Sequence, residues 1–240
     1  MKLKIIAIKE EVDDVRTIRF DIVDKGFSFE AAQFVMVQAE LEVDGEKKPV
    51  KRAYSISSSP TKKDYFEITV RRVPDGLMSS YLVQEIKEGD ELEITGPFGK
   101  YLLDESKKNI FLIAGGVGIG PMRCFLQYVI DSKLDKNVVL LFSVRNQDEI
   151  IFKDELEEYE NSNFKKIITL TREEDGTDWK GSRGRIDKKI IEENLADVND
   201  SVFYICGSFE FANTLEAYLE ELGVAKDNIH SEKWMLNKKS

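Results

Sequence analysis

Apolar and polar positions follow two different rhythms along this chain. Up to residue 104 the rhythm is mostly short alternation: Ile18, Phe20 and Ile22 are offset against Arg19 and Asp21, and Phe66, Ile68 and Val70 against Glu67, Thr69 and Arg71. A period of two describes an antiparallel strand with one face in the core and one in water. Further strands are expected near residues 3–8, 34–39, 53–57 and 91–95, about six in all, enough to close a small barrel. An amphipathic stretch over residues 78–86 interrupts them and is expected to cap the barrel.

After residue 105 the strands become near-continuous apolar runs, at 110–114, 138–144, 167–170 and 202–206. Such runs suit strands covered on both faces. Helical patterns lie between or after them, at 122–130, 154–159, 188–194 and 209–222. Alternating strand and helix predicts a parallel sheet with right-handed crossovers. The expected organisation is therefore an antiparallel β-barrel domain over residues 1–104 followed by an α/β parallel-sheet domain over 105–240, joined at the polar linker 104–108. A cleft between two domains is a favoured place for ligands.

Composition narrows the class. A chain of 240 residues with 42% hydrophobic and 33% charged residues is an ordinary globular sequence. It holds no apolar run of the roughly 18 residues needed to span a bilayer. The opening MKLKIIAIKE reads as a first strand and not as a signal peptide. Two cysteines, Cys124 and Cys206, make no disulfide framework, so a cytoplasmic location is expected. A net charge of −10 argues against nucleic acid as a partner. No metal-ligand spacing, cysteine cluster for an iron–sulfur centre or nucleophile elbow is present.

Three short runs carry candidate chemistry. Gly115-Gly116-Val117-Gly118-Ile119-Gly120-Pro121 links a buried strand to a helix with Pro121 in its first turn. Backbone N–H groups and the helix dipole at such a junction attract phosphate. Gly116 and Gly118 match the first two positions of the dinucleotide fingerprint, but the third falls on Pro121. A tight turn packing a helix against a sheet is the plainer alternative. Arg52-Ala53-Tyr54-Ser55 sits on a barrel strand, with Arg52 and Tyr54 on one face and Ser55 on the other. A guanidinium can pair with pyrophosphate and a phenol ring can stack on a flat heterocycle; alone, the run reads equally as a half-buried strand. Cys206-Gly207-Ser208 ends a buried strand, where a cysteine is by base rate a small hydrophobe. Cys124, on the first helix of the second half, is read as that kind.

In this order and spacing the runs resemble the ferredoxin–NADP reductase family of flavoenzymes, and the resemblance spans nearly the whole chain. It implies a flavoprotein oxidoreductase using FAD and NAD(P)H, with electrons passed to a separate carrier such as ferredoxin or flavodoxin. By resemblance, Arg52 binds the FAD pyrophosphate, Tyr54 stacks on the isoalloxazine and Ser55 donates a hydrogen bond near its reactive nitrogen. FAD phosphate also falls on the turn Gly76-Leu77-Met78-Ser79, with help from Arg71; Arg71-Arg72 read equally as a solvated strand end. Gly115, Gly116, Val117, Gly118 and Pro121 hold the nicotinamide nucleotide. Cys206 and Gly207 lie near its hydride-donating carbon, with Cys206 as a positioning group and not a nucleophile. Gly96-Pro97-Phe98-Gly99-Lys100-Tyr101 matches the turn that closes the family's first domain. At the C-terminus, Glu232 assists electron or proton movement and Trp234 shields the flavin, against the plainer reading of an edge strand with one anchoring Trp.

Departures from the family pattern are specific. Val117 stands where Thr is common, and Ser208 replaces the usual Pro, which is expected to loosen that turn. A tail, residues 235–240, follows Trp234. For the coenzyme, Arg145, Thr171 and Arg172 follow buried strands and favour NADP(H) over NAD(H), although Glu173, Glu174 and Asp175 dilute the positive field. Lysines at 47, 48, 51, 62, 63, 238 and 239 suggest a basic docking face for an acidic carrier, or simply solvated loops. Two other readings stay open: a reductase subunit of an oxygenase or other multi-protein complex, and a nucleotide-sensing module without redox chemistry.

Overall fold

The structure, a computed structural model, describes residues 1–100, 102–159, 163–174 and 176–234. Tyr101, Asp175 and the tail with Lys238 and Lys239 lie outside them, as does the side chain of Trp234. The chain forms two compact units: residues 1–103 with 123–132, and residues 104–122 with 133–240.

The first unit is built on β1 (Lys2–Val12), β2 (Val15–Asp21), β3 (Phe34–Val43), β4 (Glu46–Ser55), β5 (Tyr65–Arg71) and β6 (Glu91–Phe98). Their order is β4-β3-β6-β1-β2-β5, with every pair antiparallel. The outer strands meet through a bridge between Ile56 and Ile68 and a hydrogen bond from Ser57 N to Glu67 O of 2.8 Å, which closes the barrel. Phe20 and Phe27 stack on Phe66 at ring separations of 5.1 and 5.0 Å in its core. Helix α1 (Leu77–Ser80) widens into a π turn over Tyr81–Glu85. Met78, Leu82, Val83 and Ile86 are buried there, as the amphipathic pattern requires.

One strand departs from the alternation read in the sequence. On β5, Glu67 and Thr69 are as buried as their apolar neighbours, so the strand has no wet face. The cause is non-local: residues 123–132 belong to this unit and bring Arg123 onto Glu67. Thr69 joins Thr17 and Ser57 in a buried chain of hydroxyls at 3.1 and 2.9 Å.

The second unit is an all-parallel sheet of β7 (Asn109–Gly115), β8 (Asn137–Val144), β9 (Phe164–Leu170), β10 (Ser182–Arg183), β11 (Ser201–Ser208) and β12 (Ile229–Trp234). The order is β10-β9-β8-β7-β11-β12. The connecting helices are α2 (Ile119–Asp131), α3 (Lys153–Glu158), α4 (Lys188–Glu192) and α5 (Phe209–Glu221). Phe111 and Phe203 stack at 4.6 Å in a core shared with Ile113, Leu141, Ile205, Leu215 and Leu219. From β7 the chain winds outward through β8, β9 and β10, then returns to place β11 on the other flank of β7. The winding therefore reverses between β7 and β11, and ligands of such sheets bind outside the carboxyl ends of strands at that reversal. Among the described residues no helix is long and apolar enough to cross a membrane.

Candidate functional site

In the barrel unit the candidates lie along β4 and at the end of β5. Register pairs Arg52 with Val37, Tyr54 with Val35 and Ser55 with Phe34. Arg52 is exposed and donates from Nη1 to Lys51 O at 2.8 Å. Tyr54 and Ser55 are half-buried. Burial raises the Tyr54 phenol well above its ordinary pKa, against the opposing charge of Arg52. Of the paired arginines that end β5, Arg72 is consumed by Asp14 in a two-pronged contact of 2.7 and 2.8 Å. That hydrogen bond holds the Asp14 carboxyl below its usual range. Arg71 is half-buried at the strand end.

The turn into α1 has its own internal logic. Ser79 Oγ accepts from Val73 N at 3.1 Å and donates to Gly76 O at 3.2 Å. A Cβ on Gly76 would lie 2.5 Å from that oxygen, which explains the glycine. Ser79 thus spends its hydroxyl on shaping the turn. What the turn offers an anion is the backbone N–H groups of its first residues, which no intrahelical acceptor uses. Met78 is buried beneath it.

The basic cluster read on β4 is countered locally. Lys48 pairs with Glu46 at 3.3 Å, and Lys47 faces Glu42 across the strand pair.

In the sheet unit, the β7–β11 reversal brings two of the sequence runs together. Cys206 sits in register with Ala114, next to the glycine turn that follows β7. Gly116 has φ of +54° with open space where a Cβ would stand, so its backbone demands glycine and leaves room above it. Gly115 and Gly207 are glycines for another reason: a Cβ on them would meet the Phe211 ring at 3.3 and 2.3 Å. Gly116–Gly118 form a single 3₁₀ turn, with Val117 half-buried, and α2 begins at Ile119. Pro121 falls in its first turn, where an N–H is not needed.

Cys206 is buried, and β12 places Glu232 beside it in register, Sγ to Oε2 3.8 Å. Burial first, and the Glu232 carboxylate second, push the thiol well above its ordinary pKa. It is a neutral donor and packing group. Ser208, in the place of the usual Pro, caps α5: its Oγ accepts from Phe211 N at 3.3 Å. Trp234 ends β12 opposite Ser208, on the edge of the sheet.

At the carboxyl ends of β8 and β9, Arg172 N donates to Arg145 O at 2.7 Å, which brings the two arginines together. Both are exposed, and Arg145 lies 3.6 Å from Glu149. Thr171 donates its hydroxyl to Val144 O at 3.2 Å. Glu173 receives Gln147 N at 3.1 Å and Gln147 Nε2 at 2.8 Å, and these bonds lower its pKa. Gln147 carries no signal in the sequence; only the fold puts it against Glu173.

Two family models divide the chain between them: the oxidoreductase FAD-binding domain over residues 2–102 and the oxidoreductase NAD-binding domain over residues 112–217. The chain belongs to the ferredoxin reductase-like family of FAD- and NAD-binding oxidoreductases. Among its relatives, the glycine betaine monooxygenase reductase subunit of Pseudomonas aeruginosa (strain UCBPP-PA14) is 33% identical over 235 residues. That match takes in 96% of this chain and 63% of the relative. The flavohemoprotein of Bacillus subtilis (strain 168) is 33% identical over 209 residues, 85% of this chain and 51% of its own length. The chain thus spans less than two thirds of either relative. In fold it matches the flavohem-like FAD/NAD-binding domain of the nitric oxide dioxygenase from Vibrio cholerae O1 biovar El Tor, with a TM-score of 0.87, 24% identity and 98% of each chain covered. A ferredoxin NADP+ reductase from Neisseria gonorrhoeae, at TM-score 0.80 and 22% identity, covers 97% of this chain and 98% of its own. Family membership makes the barrel the flavin side and the parallel sheet the nucleotide side of this reductase-like chain.

Proposed function

We propose that the chain is an FAD-dependent NAD(P)H oxidoreductase that delivers electrons to a separate carrier. The observation that carries this is the meeting of the glycine turn and Cys206 at the β7–β11 reversal, in a chain whose other unit presents Arg52, Tyr54 and Ser55 on one barrel strand. The residues fit the cofactor. Arg52 is exposed for a pyrophosphate, Tyr54 offers a half-buried ring for stacking, and the start of α1 supplies backbone donors. When bound, FAD supplies the two-electron to one-electron exchange that no side chain can perform. Ser55 is assigned a hydrogen bond to the flavin, and Arg71 electrostatic support for its phosphates. Gly116 and the turn through Gly118 take the nicotinamide nucleotide's pyrophosphate. Cys206, neutral and buttressed by Glu232, orients the nicotinamide ring.

Within the nicotinamide class we assign NADP(H), supported by Arg145 and Arg172, joined through the backbone and exposed at the sheet's carboxyl edge. A second reading, NAD(H), is favoured by Glu173, an ionised carboxylate one residue further on. Anaerobic mixing of the flavoprotein with NADPH and with NADH decides between them. Bleaching of the visible flavin band by either supports the oxidoreductase; the faster donor names the coenzyme. A protein that purifies without flavin and takes none up overturns the assignment and leaves the nucleotide-sensing module.

For the acceptor, a small redox protein such as ferredoxin or flavodoxin is the first reading, and a partner within an oxygenase complex the second. The second is favoured by the reductase subunits matched over 96% of this chain. With Lys47 and Lys48 of β4 facing carboxylates and Lys62 paired with Asp131, transfer to an acidic carrier should slow only modestly as salt rises. A steep salt dependence restores the basic docking face. Free buried thiols at Cys124 and Cys206 support a reducing, cytoplasmic setting.

A further inference from the structure

Glu67 occupies a slot on β5 that alternation assigns to water, yet its side chain is 5% exposed. Its two oxygens are divided between two guanidiniums. Arg123 Nη1 lies 2.7 Å from Oε2, and Arg19 Nε lies 2.8 Å from Oε1, with the Arg19 guanidinium 3.9 Å above the Tyr65 ring. Arg123 is 10% exposed at its side chain, so both partners of that pair have left water. Desolvating such a pair gives back most of the attraction it gains, so the cluster is a poor way to add stability. What it supplies is orientation.

The orientation is imposed on one stretch of backbone. The same Nη1 of Arg123 donates to Ser57 O at 3.0 Å. One residue along, Cys124 Sγ donates to Ser58 O at 2.9 Å, and Ser59 N donates to Gln127 Oε1 at 3.0 Å. Three consecutive residues are thus each tied to α2. From the other side, Glu67 N donates to Ser58 Oγ at 2.9 Å. Residues 57–59 follow the strand that carries Arg52, Tyr54 and Ser55, with only Ile56 between. A ligand-holding run needs its supporting residues locked by just such outer contacts.

We propose that Arg123 is a positioning residue for the flavin run: through Ser57 O and Glu67 it fixes the end of β4 that presents Tyr54 and Ser55. The inference rests on the assignment of that run to FAD. Arg19 makes the discriminating control, because it shares the Glu67 carboxylate while its contacts here, to Glu67 and over Tyr65, do not include Ser57.

The test is titration of FAD into the full-length apoprotein, reading affinity and the fluorescence of the bound flavin, which stacking on Tyr54 quenches. Arg123→Met should weaken FAD binding by about tenfold, since small misplacements of positioning groups are felt strongly at a site. It should also brighten the bound flavin, whereas Arg19→Met leaves both within about twofold. Thermal unfolding of the apoproteins, run alongside, separates lost stability from lost positioning. Equal effects from the two variants, or an Arg123→Met protein with unchanged affinity and fluorescence, would overturn the proposal. Should Arg123→Met fail to fold, Arg123→Lys takes its place, because an ammonium cannot serve both acceptors in the guanidinium's geometry. Its loss of affinity must then exceed that of Arg19→Met, or the proposal falls. A wild-type chain that binds no FAD would remove the flavin assignment itself, and this inference with it.

Discussion

In the barrel unit the candidate groups stand on a strand that solvent reaches: Arg52 is exposed, and Tyr54 and Ser55 are half-buried. In the sheet unit the group at the centre, Cys206, is buried and already held beside Glu232. The barrel candidates thus keep access to solvent, while the sheet candidate is enclosed by its own chain. The difference divides the expected consequences of mutation. Removing a barrel residue takes away contact with the ligand, so binding suffers. Removing the thiol leaves most nucleotide contacts in place and disturbs orientation, so rate suffers. Arginines sort in the same way. Arg72 and Arg123 are consumed by Asp14 and by Glu67, and read as architecture; Arg52 and Arg172 are exposed, and read as binding groups.

The largest effect should follow loss of Arg52. Arg52→Ala removes a charge-assisted phosphate contact worth about 1.5–3 kcal/mol, roughly ten- to a hundredfold in FAD affinity. Its position on an exposed face predicts little change in the apoprotein's melting temperature. If the variant retains flavin at full affinity, the barrel half of the comparison fails.

Cys206→Ala tests the other half. Flavin reduction by the nicotinamide, followed by stopped flow, should slow by about tenfold, while nucleotide affinity changes by about twofold or less. Parallel losses in rate and affinity would reduce the thiol to packing and erase the contrast between the units. A Cys206→Ser variant, which keeps a donor towards Glu232, should recover part of the rate.

Much of the comparison was legible in the sequence, because it rests on local periodicity. The two rhythms, two and near-continuous, separate the antiparallel barrel from the parallel sheet, and the glycine turn announces itself by composition. What was not legible comes from side-chain contacts, distant or local, that leave no signature in the sequence. Glu67 looks like a solvent-facing position until Arg123, from a helix that opens in the other half, covers it. Gly115 and Gly207 read as nucleotide-facing glycines, and packing adds a second demand, since a Cβ on them would meet the Phe211 ring at 3.3 and 2.3 Å. Ser79 reads as part of a phosphate-binding turn, and its hydroxyl also braces that turn. In each case the contact comes from a side chain far along the chain, or from local packing or a local hydrogen bond without a sequence signature.

A smaller effect is expected at the coenzyme edge. Arg172→Ala should raise the Michaelis constant for NADPH about fivefold and leave NADH nearly unchanged, as expected for one solvent-exposed charge contact. Glu173→Gln, which removes a carboxylate held by Gln147, should shift preference further towards NADPH. If Arg172→Ala leaves the NADPH/NADH ratio where it was, the phosphate contact belongs to Arg145 or the enzyme prefers NADH.

The smallest effect concerns the one histidine. His230 stacks on Tyr204 with ring centroids 5.1 Å apart, on the edge strand that also carries Glu232. Burial lowers its pKa from the ordinary 6.5, opposed by the charges of Asp104 and Asp227. The folded chain thus takes up this proton at lower pH than the unfolded chain does. Where the unfolded state binds more protons, stability rises with pH. The contribution is complete above pH 6.5 and is lost as pH falls through the lowered folded-state value. His230→Phe keeps a ring over Tyr204 and removes the titration. The wild-type melting temperature should fall by about one or two degrees more than the variant's between pH 7.5 and pH 5.5, values chosen to bracket the transition. The carboxylates of Asp14, Asp104 and Glu173, whose pKa values are all lowered, lose their contributions only in more acidic solution and do not interfere in this window. Identical pH profiles for the two proteins would mean that the stack on Tyr204 accepts the charged ring as readily as the neutral one.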